Sequence, residues 1–225
     1  MKRNHCLSDE EFQAAVTRVY DLGSDDYLER WSVPYAWQAE EWRRFTTAVR
    51  AGSKVLDVGC NAGTDLQRLV KAGYQTTGLD VSEYALRLAA RRCPEAALLH
   101  MNMLDLGSLE EVFDALWVSY SMVHIPFGRM AEALSALNSV LRPGGFLMMM
   151  MTVTKEPCEK LHDSEVMFEA SGRARKVPVA HWAPGPLREA FETHFNVEWE
   201  GPLEFVRDHA AYSLLVSSRC RPGEA

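Results

Sequence analysis

The sequence has no surplus of basic residues. Its 225 residues carry 24 Lys and Arg against 31 Asp and Glu, a net charge of −7. A nucleic-acid-binding domain shows a basic face, and an anionic membrane attracts clustered Lys and Arg. The acidic balance argues against both partners. Cysteine is scarce and unpatterned: Cys6, Cys60, Cys93, Cys158 and Cys220 are odd in number and scattered. No Cys-x-x-Cys pair offers a zinc or redox site, so no metal is expected and the thiols read as free in a reducing cytosol. Long apolar runs are missing too. The stretch 146–153 is far too short to span a bilayer and reads as a buried strand. Behind Met1-Lys2-Arg3 comes Leu7-Ser8-Asp9-Glu10-Glu11 rather than an apolar segment, so no secretory signal is read there. What these absences leave is a cytoplasmic globular chain, long enough for one domain with a full core.

The pattern that is present changes character once along the chain. Ser8 and Glu11 have capping-box spacing, and Phe12, Ala15, Val16 and Val19 follow at helical intervals. A second helical stretch covers 35–50, with an aromatic-rich segment (Tyr20, Tyr27, Trp31, Tyr35, Trp37) between the two. From Lys54 onward strands and helices alternate. Strands are expected at 55–58, 76–79, 97–100, 113–119 and 146–152. Helices are expected at 64–72, 82–92 and 128–141, and Pro143-Gly144-Gly145 reads as a sharp turn into the fifth strand. Such alternation implies a parallel sheet covered by helices on both faces. The polar, Pro- and Gly-punctuated stretch 155–186 shows no period and reads as an irregular loop long enough to be functional. A helix over 186–194 and strands at 197–200 and 211–217 close the chain.

The first strand delivers the chain to Asp57-Val58-Gly59-Cys60-Asn61-Ala62-Gly63-Thr64, where a helix begins at once. In an open parallel sheet this is the usual ligand crevice, and small residues there let a ligand approach the backbone. Dinucleotide enzymes need Gly-x-Gly-x-x-Gly to seat a pyrophosphate on the helix end. Gly59 and Gly63 stand four apart and do not fit that register. Asp57, inside the strand, suits a cationic amine better than a phosphate.

This segment resembles motif I of the class I S-adenosylmethionine (SAM)-dependent methyltransferases, Asp-x-Gly-x-Gly-x-Gly. Asp57, Gly59 and Gly63 match it. Asn61 replaces the middle glycine, and Asn is among the few residues that tolerate a left-handed backbone. The resemblance continues through Gly78-Leu79-Asp80-Val81-Ser82, the end of a second strand in an acid, and through Asn102-Met103 after the third. It ends at Leu141-Arg142-Pro143-Gly144-Gly145 and so covers about 54–152. It implies a Rossmann-like, doubly wound, mostly parallel seven-stranded sheet with an antiparallel last strand and an N-terminal helical cap. The whole chain 1–225 is then one domain: cap or lid over 1–50, SAM-binding core over 51–153, substrate loop and C-terminal strands over 154–225.

The same resemblance assigns roles. Asp57, Gly59, Cys60, Asn61 and Gly63 form the cofactor loop. Asp80 takes the ribose hydroxyls, as a carboxylate about twenty residues past a glycine loop does, with Val81 beside it. Asn102 and Met103 meet the adenine, with Asp105 as the alternative, and Ser119 lies at the exit of the fourth strand. His124 follows that strand on the substrate edge, and histidine as a residue type is suited to proton transfer; it is read as a general base or as a packing residue. His181 and Trp182 are candidates for the acceptor pocket, and Tyr27, Trp31 and Tyr35 for an aromatic lid over the sulfonium. Arg173, Arg175 and Lys176 either meet an anionic substrate or form a solvated loop. The function implied is methyl transfer from SAM to a small molecule, with S-adenosylhomocysteine (SAH) as product. Three competing readings remain at this level: a nicotinamide oxidoreductase, a SAM-binding regulator, and SAM-dependent chemistry other than methyl transfer. The residues do not indicate an oligomeric state.

Overall fold

The structure is a computed structural model that describes residues 2–3, 7–21, 38–168 and 174–219. The chain begins with β1 (Lys2–Arg3) and two helices, α1 (Asp9–Asp21) and α2 (Ala39–Ala48). The alternating core comprises β2 (Lys54–Val58), α3 (Thr64–Lys71), β3 (Gln75–Asp80), α4 (Glu83–Arg92) and β4 (Ala97–His100). It continues through β5 (Phe113–Ser119), α5 (Met130–Ser139) and β6 (Leu141–Thr154). Last come β7 (Cys158–Phe168), β8 (Ala174–His181), α6 (Pro184–Glu192), β9 (Phe195–Glu200) and β10 (His209–Ser218).

Seven strands form one sheet in the order β4-β3-β2-β5-β6-β10-β9. All run parallel except β10, which pairs antiparallel with both β6 and β9. This is the expected Rossmann-like sheet with its antiparallel last strand. Both faces are buried, so the central strands are apolar throughout rather than alternating. The run Phe146-Leu147-Met148-Met149-Met150-Met151 makes the point. Met148 and Met150 join Phe45, Leu69, Tyr74 and Trp117 beneath α2 and α3. Leu147, Met149 and Met151 join Leu134, Leu137, Leu187 and Phe191 beneath α5 and α6.

The capping box at the start of α1 forms as its spacing predicts. The Ser8 N–H donates to Glu11 Oε2 (2.8 Å) and the Glu11 N–H to Ser8 Oγ (3.2 Å). Phe12, Val16 and Val19 then bury one face of α1 against the core. Two expectations need correction. The segment 155–186 is not an irregular loop: most of it is β7 and β8, which pair antiparallel and, with β1 parallel to β7, make a second three-stranded sheet. The Pro143-Gly144-Gly145 turn does not precede a strand but bulges out of one. Leu141 already pairs with Phe113, and the ladder resumes at Phe146 opposite Ala115. Among the described residues no helix is long and apolar enough to cross a membrane.

Candidate functional site

The loop after β2 is built from three left-handed residues. Gly59 (φ +78°), Asn61 (φ +49°) and Gly63 (φ +79°) alternate with ordinary ones, so the chain doubles back above the sheet. Asn61 therefore does what its residue type allows. Glycine is needed at 59 for a further reason: a Cβ there would lie 2.4 Å from Ser121 Cβ. The loop is pinned from β3, because the Gly59 and Cys60 N–H groups both donate to the Leu79 carbonyl (2.7 and 2.9 Å). Asp80 completes the tie. Its Oδ2 accepts from the Asn61 N–H and its Oδ1 from the Ser82 N–H, each at 2.9 Å. Ser82 in turn caps α4 by accepting from the Ala85 N–H.

Above this loop lies a cavity of about 830 Å³, near the upper end of the roughly 300–1,000 Å³ typical of ligand sites. Of the residues expected at a cofactor, Asp57, Gly59, Cys60, Asn61, Asp80, Val81, Asn102, Met103 and Ser119 line it. Gly63 does not. It starts α3 and packs on Ala89 of α4, where a Cβ would be 3.1 Å away. His124 and His181 line the cavity as well, but Trp182 turns away and sets its ring edge-on to Phe127 at 5.0 Å. Tyr27, Trp31, Tyr35 and Arg173 lie outside the described residues, and Arg175 and Lys176 belong to β8.

Four carboxylates line this space, Asp57, Asp65 and Asp80 around the loop and Glu204 at the rim, and among the described residues no Lys or Arg lines it. Asp57 is 1% exposed, and its Oδ2 has no hydrogen-bond partner. Burial, reinforced by the charges of Asp65 and Asp80, pushes its carboxyl well above the usual carboxylate range. Burial raises Asp80 as well, while the N–H groups of Ser82, Asn61 and Val81 pull it back. Asp65, in the first turn of α3, was not anticipated. Burial raises it, opposed chiefly by the Trp117 indole N–H, which donates to its Oδ2 at 3.0 Å. An acid one residue into the helix that follows the glycine loop was the available signal. The buried Asn61 Oδ1 likewise has no partner. The pocket therefore calls for hydrogen-bond donors and positive charge.

The opposite wall brings the expected Asn102 and His124 together with Gln13 and Tyr20 of α1, which the sequence did not mark as site residues. Gln13 of α1 spans the cavity mouth: it accepts from Asn102 Nδ2 (3.0 Å) and donates to the His124 carbonyl (2.6 Å). The His124 ring is clasped on both sides. Its Nδ1 lies 3.0 Å from the Pro178 carbonyl of β8, which only accepts, so Nδ1 carries a proton. In the neutral ring Nε2 then accepts from the Tyr20 hydroxyl at 2.8 Å. Tyr120, also in the lining, holds φ +57°. That is an uncommon conformation for a bulky residue, of the kind that clusters at functional sites.

Residues 55–145 match the methyltransferase domain family. The chain is 25% identical over 182 residues to a sterol methyltransferase-like 1 protein of Botryococcus braunii, covering 70% of this chain and 46% of that protein. It thus spans about half the length of the curated relatives it matches first. Its fold superposes on the N-methyltransferase NodS of Bradyrhizobium japonicum WM9, solved with SAH, with a TM-score of 0.66 at 16% identity over 91% of this chain and 98% of that one. It also superposes on the 1,6-didemethyltoxoflavin-N1-methyltransferase of Burkholderia thailandensis, with a TM-score of 0.70 at 15% identity over 96% and 92% of the two chains.

Proposed function

We propose that this chain, whose residues 55–145 match the methyltransferase domain family, is a class I SAM-dependent enzyme that moves a methyl group from SAM to a small-molecule acceptor and releases SAH. One observation carries the reading: Asp57, Asp65 and Asp80 converge on a cavity that no described Lys or Arg lines. A pyrophosphate would meet like charge there, whereas a cofactor bearing a sulfonium and an α-ammonium meets its complement. The unpartnered Asp57 Oδ2 and Asn61 Oδ1 fit the same group, since both require donors.

Bound there, SAM supplies a methyl group on a positively charged sulfur, already activated toward displacement. The chain's residues do the rest. Asp80 takes the ribose hydroxyls on the lone pairs left by its two backbone bonds. Asn102 and Met103 border the adenine. Asp57 and Asp65 hold the amino-acid end, with the backbone of Gly59, Cys60 and Asn61 beneath and Ser119 at the exit of β5. Alignment of this kind is worth about 7–11 kcal/mol of barrier. His124 removes the acceptor's proton through Tyr20: the acceptor proton passes to the phenol oxygen and the phenol proton to Nε2. Pro178 holds the resulting imidazolium at Nδ1, and such a base contributes roughly 10²–10⁴-fold. Residues 1–50 serve as cap, 51–153 as cofactor core and 154–225 as acceptor side of a single cytoplasmic domain. The acidic balance supports a small molecule over nucleic acid as substrate.

Two measurements test this. Calorimetry with SAH and with NAD+ should give heat for SAH alone; failure of SAH to bind overturns the proposal. Extract of the source organism incubated with methyl-labelled SAM should yield a labelled metabolite only when the protein is present. SAH binding without any labelled product would favour a SAM-binding role without methyl transfer.

A further inference from the structure

The second sheet decides what the acceptor half of the cavity accepts. Val177, Val179 and His181 stand at alternate positions of β8, so all three point to one face, and that face is the cavity wall. They are 5%, 5% and 4% exposed. Val123, Ile125 and Ala210, also buried, continue the apolar surface. The polar points in this half are Tyr20, His124, Thr152 and His181, none of which carries a fixed charge. The rim is Glu204, Val206 and His209, all exposed, with the His209 ring edge-on to His181 at 5.4 Å. Its one charged group is therefore an anion.

Resting on the SAM reading above, we infer that the acceptor is an uncharged, largely apolar small molecule that presents a single hydroxyl or N–H to Tyr20. An acceptor bearing a carboxylate or phosphate would bury its charge among valines, in a cavity already lined by Asp57, Asp65, Asp80 and Glu204, with no Lys or Arg among the described lining residues to pair it. A protonated amine is disfavoured by chemistry: its lone pair is occupied, and no carboxylate lines the buried apolar wall to hold it. In the reaction the acceptor's O–H or N–H proton goes to the Tyr20 oxygen as the phenol proton passes to His124 Nε2. The new bond forms from the acceptor heteroatom to the methyl carbon as the carbon–sulfur bond breaks, and the sulfonium becomes a neutral thioether.

The test uses matched probes on the full chain. Binding of 2-naphthol, 8-hydroxyquinoline and 6-hydroxy-2-naphthoic acid is followed by tryptophan fluorescence with SAH present, and SAH binding is measured by calorimetry on the same sample. The neutral pair should bind at least about tenfold tighter than the carboxylic acid, the scale set by one unpaired buried charge. Reversing the exposed rim charge, Glu204→Lys, should narrow that gap several-fold without altering SAH affinity. Tighter or equal binding of the acid, with SAH bound normally, overturns this inference. Failure of all three probes beside normal SAH binding overturns it as well. Loss of SAH binding in the unmodified protein overturns the underlying SAM reading instead.

Discussion

Replacing Asp80 by Ala perturbs the cofactor side most cleanly. The carboxylate is 8% exposed and holds two backbone donors at 2.9 Å, the Asn61 N–H of the glycine loop and the Ser82 N–H at the start of α4. In the proposed complex its remaining lone pairs take two ribose hydroxyls. Hydrogen bonds to a charged acceptor are worth about 1.5–3 kcal/mol each. Loss of the two ribose bonds alone should weaken SAH binding by about 3–6 kcal/mol, or roughly 10²–10⁴-fold. The two backbone bonds add a stability cost, partly offset because burial of the carboxyl is itself unfavourable and its proton affinity is raised. Calorimetry separates the two effects when paired with melting curves. Ser82→Ala, which removes the cap on Ala85 but leaves the carboxylate, serves as the control and should lower Tm while SAH affinity stays within about threefold. Asp80→Ala with SAH affinity also within about threefold of the parent would refute the placement of the nucleoside.

Three further outcomes follow from the same geometry. Asp57 binds its proton more tightly folded than unfolded, so between the ordinary carboxylate range and its raised value the native state holds more protons and stability falls as pH rises. Asp57→Asn should therefore raise the Tm of the ligand-free protein at neutral pH, by about 2–4 °C per kcal/mol relieved, while weakening SAH binding; parallel Tm–pH profiles from pH 5 to 8 would contradict this. Gly59→Ala places a Cβ 2.4 Å from Ser121 Cβ on a left-handed backbone, and should cost about 1–3 kcal/mol and abolish SAH binding. Adding Ser121→Gly should restore part of the stability, and no recovery in thermal melts would count against the clash. Once an acceptor is known, Tyr20→Phe and His124→Ala should each lower kcat about 10²–10⁴-fold with little change in SAH affinity. Unchanged turnover in His124→Ala would remove His124 from the proton path.

The parts of this protein legible in its sequence are those governed by local rules. Alternating apolar strands and amphipathic helices over 54–152 specify the parallel sheet, because period and turn chemistry are short-range properties. Gly59, Asn61 and Gly63 were recognisable because only a few residue types tolerate positive φ, Asp57 because it is an acid inside an apolar strand that leads into that loop, and Asp80 because it ends a strand at the ligand edge. The capping box of Ser8 and Glu11 was readable for the same reason. What tertiary structure alone decided is everything that depends on distant segments meeting. The second sheet escaped notice because β7 and β8 are polar and lack a clean alternation, and only their pairing with each other and with β1 makes them strands. Gln13 carries no local mark of a site residue, and Tyr20 reads only as part of an aromatic-rich segment; α1 brings them across the cavity mouth to Asn102 and His124, 89 and 104 positions away in the chain. The tautomer of His124 is set by a carbonyl 54 residues on. Trp182 carries no local mark telling whether its ring meets a ligand or Phe127. Sequence determines which residues are able to line a site; the closure of the chain over it determines which of them do.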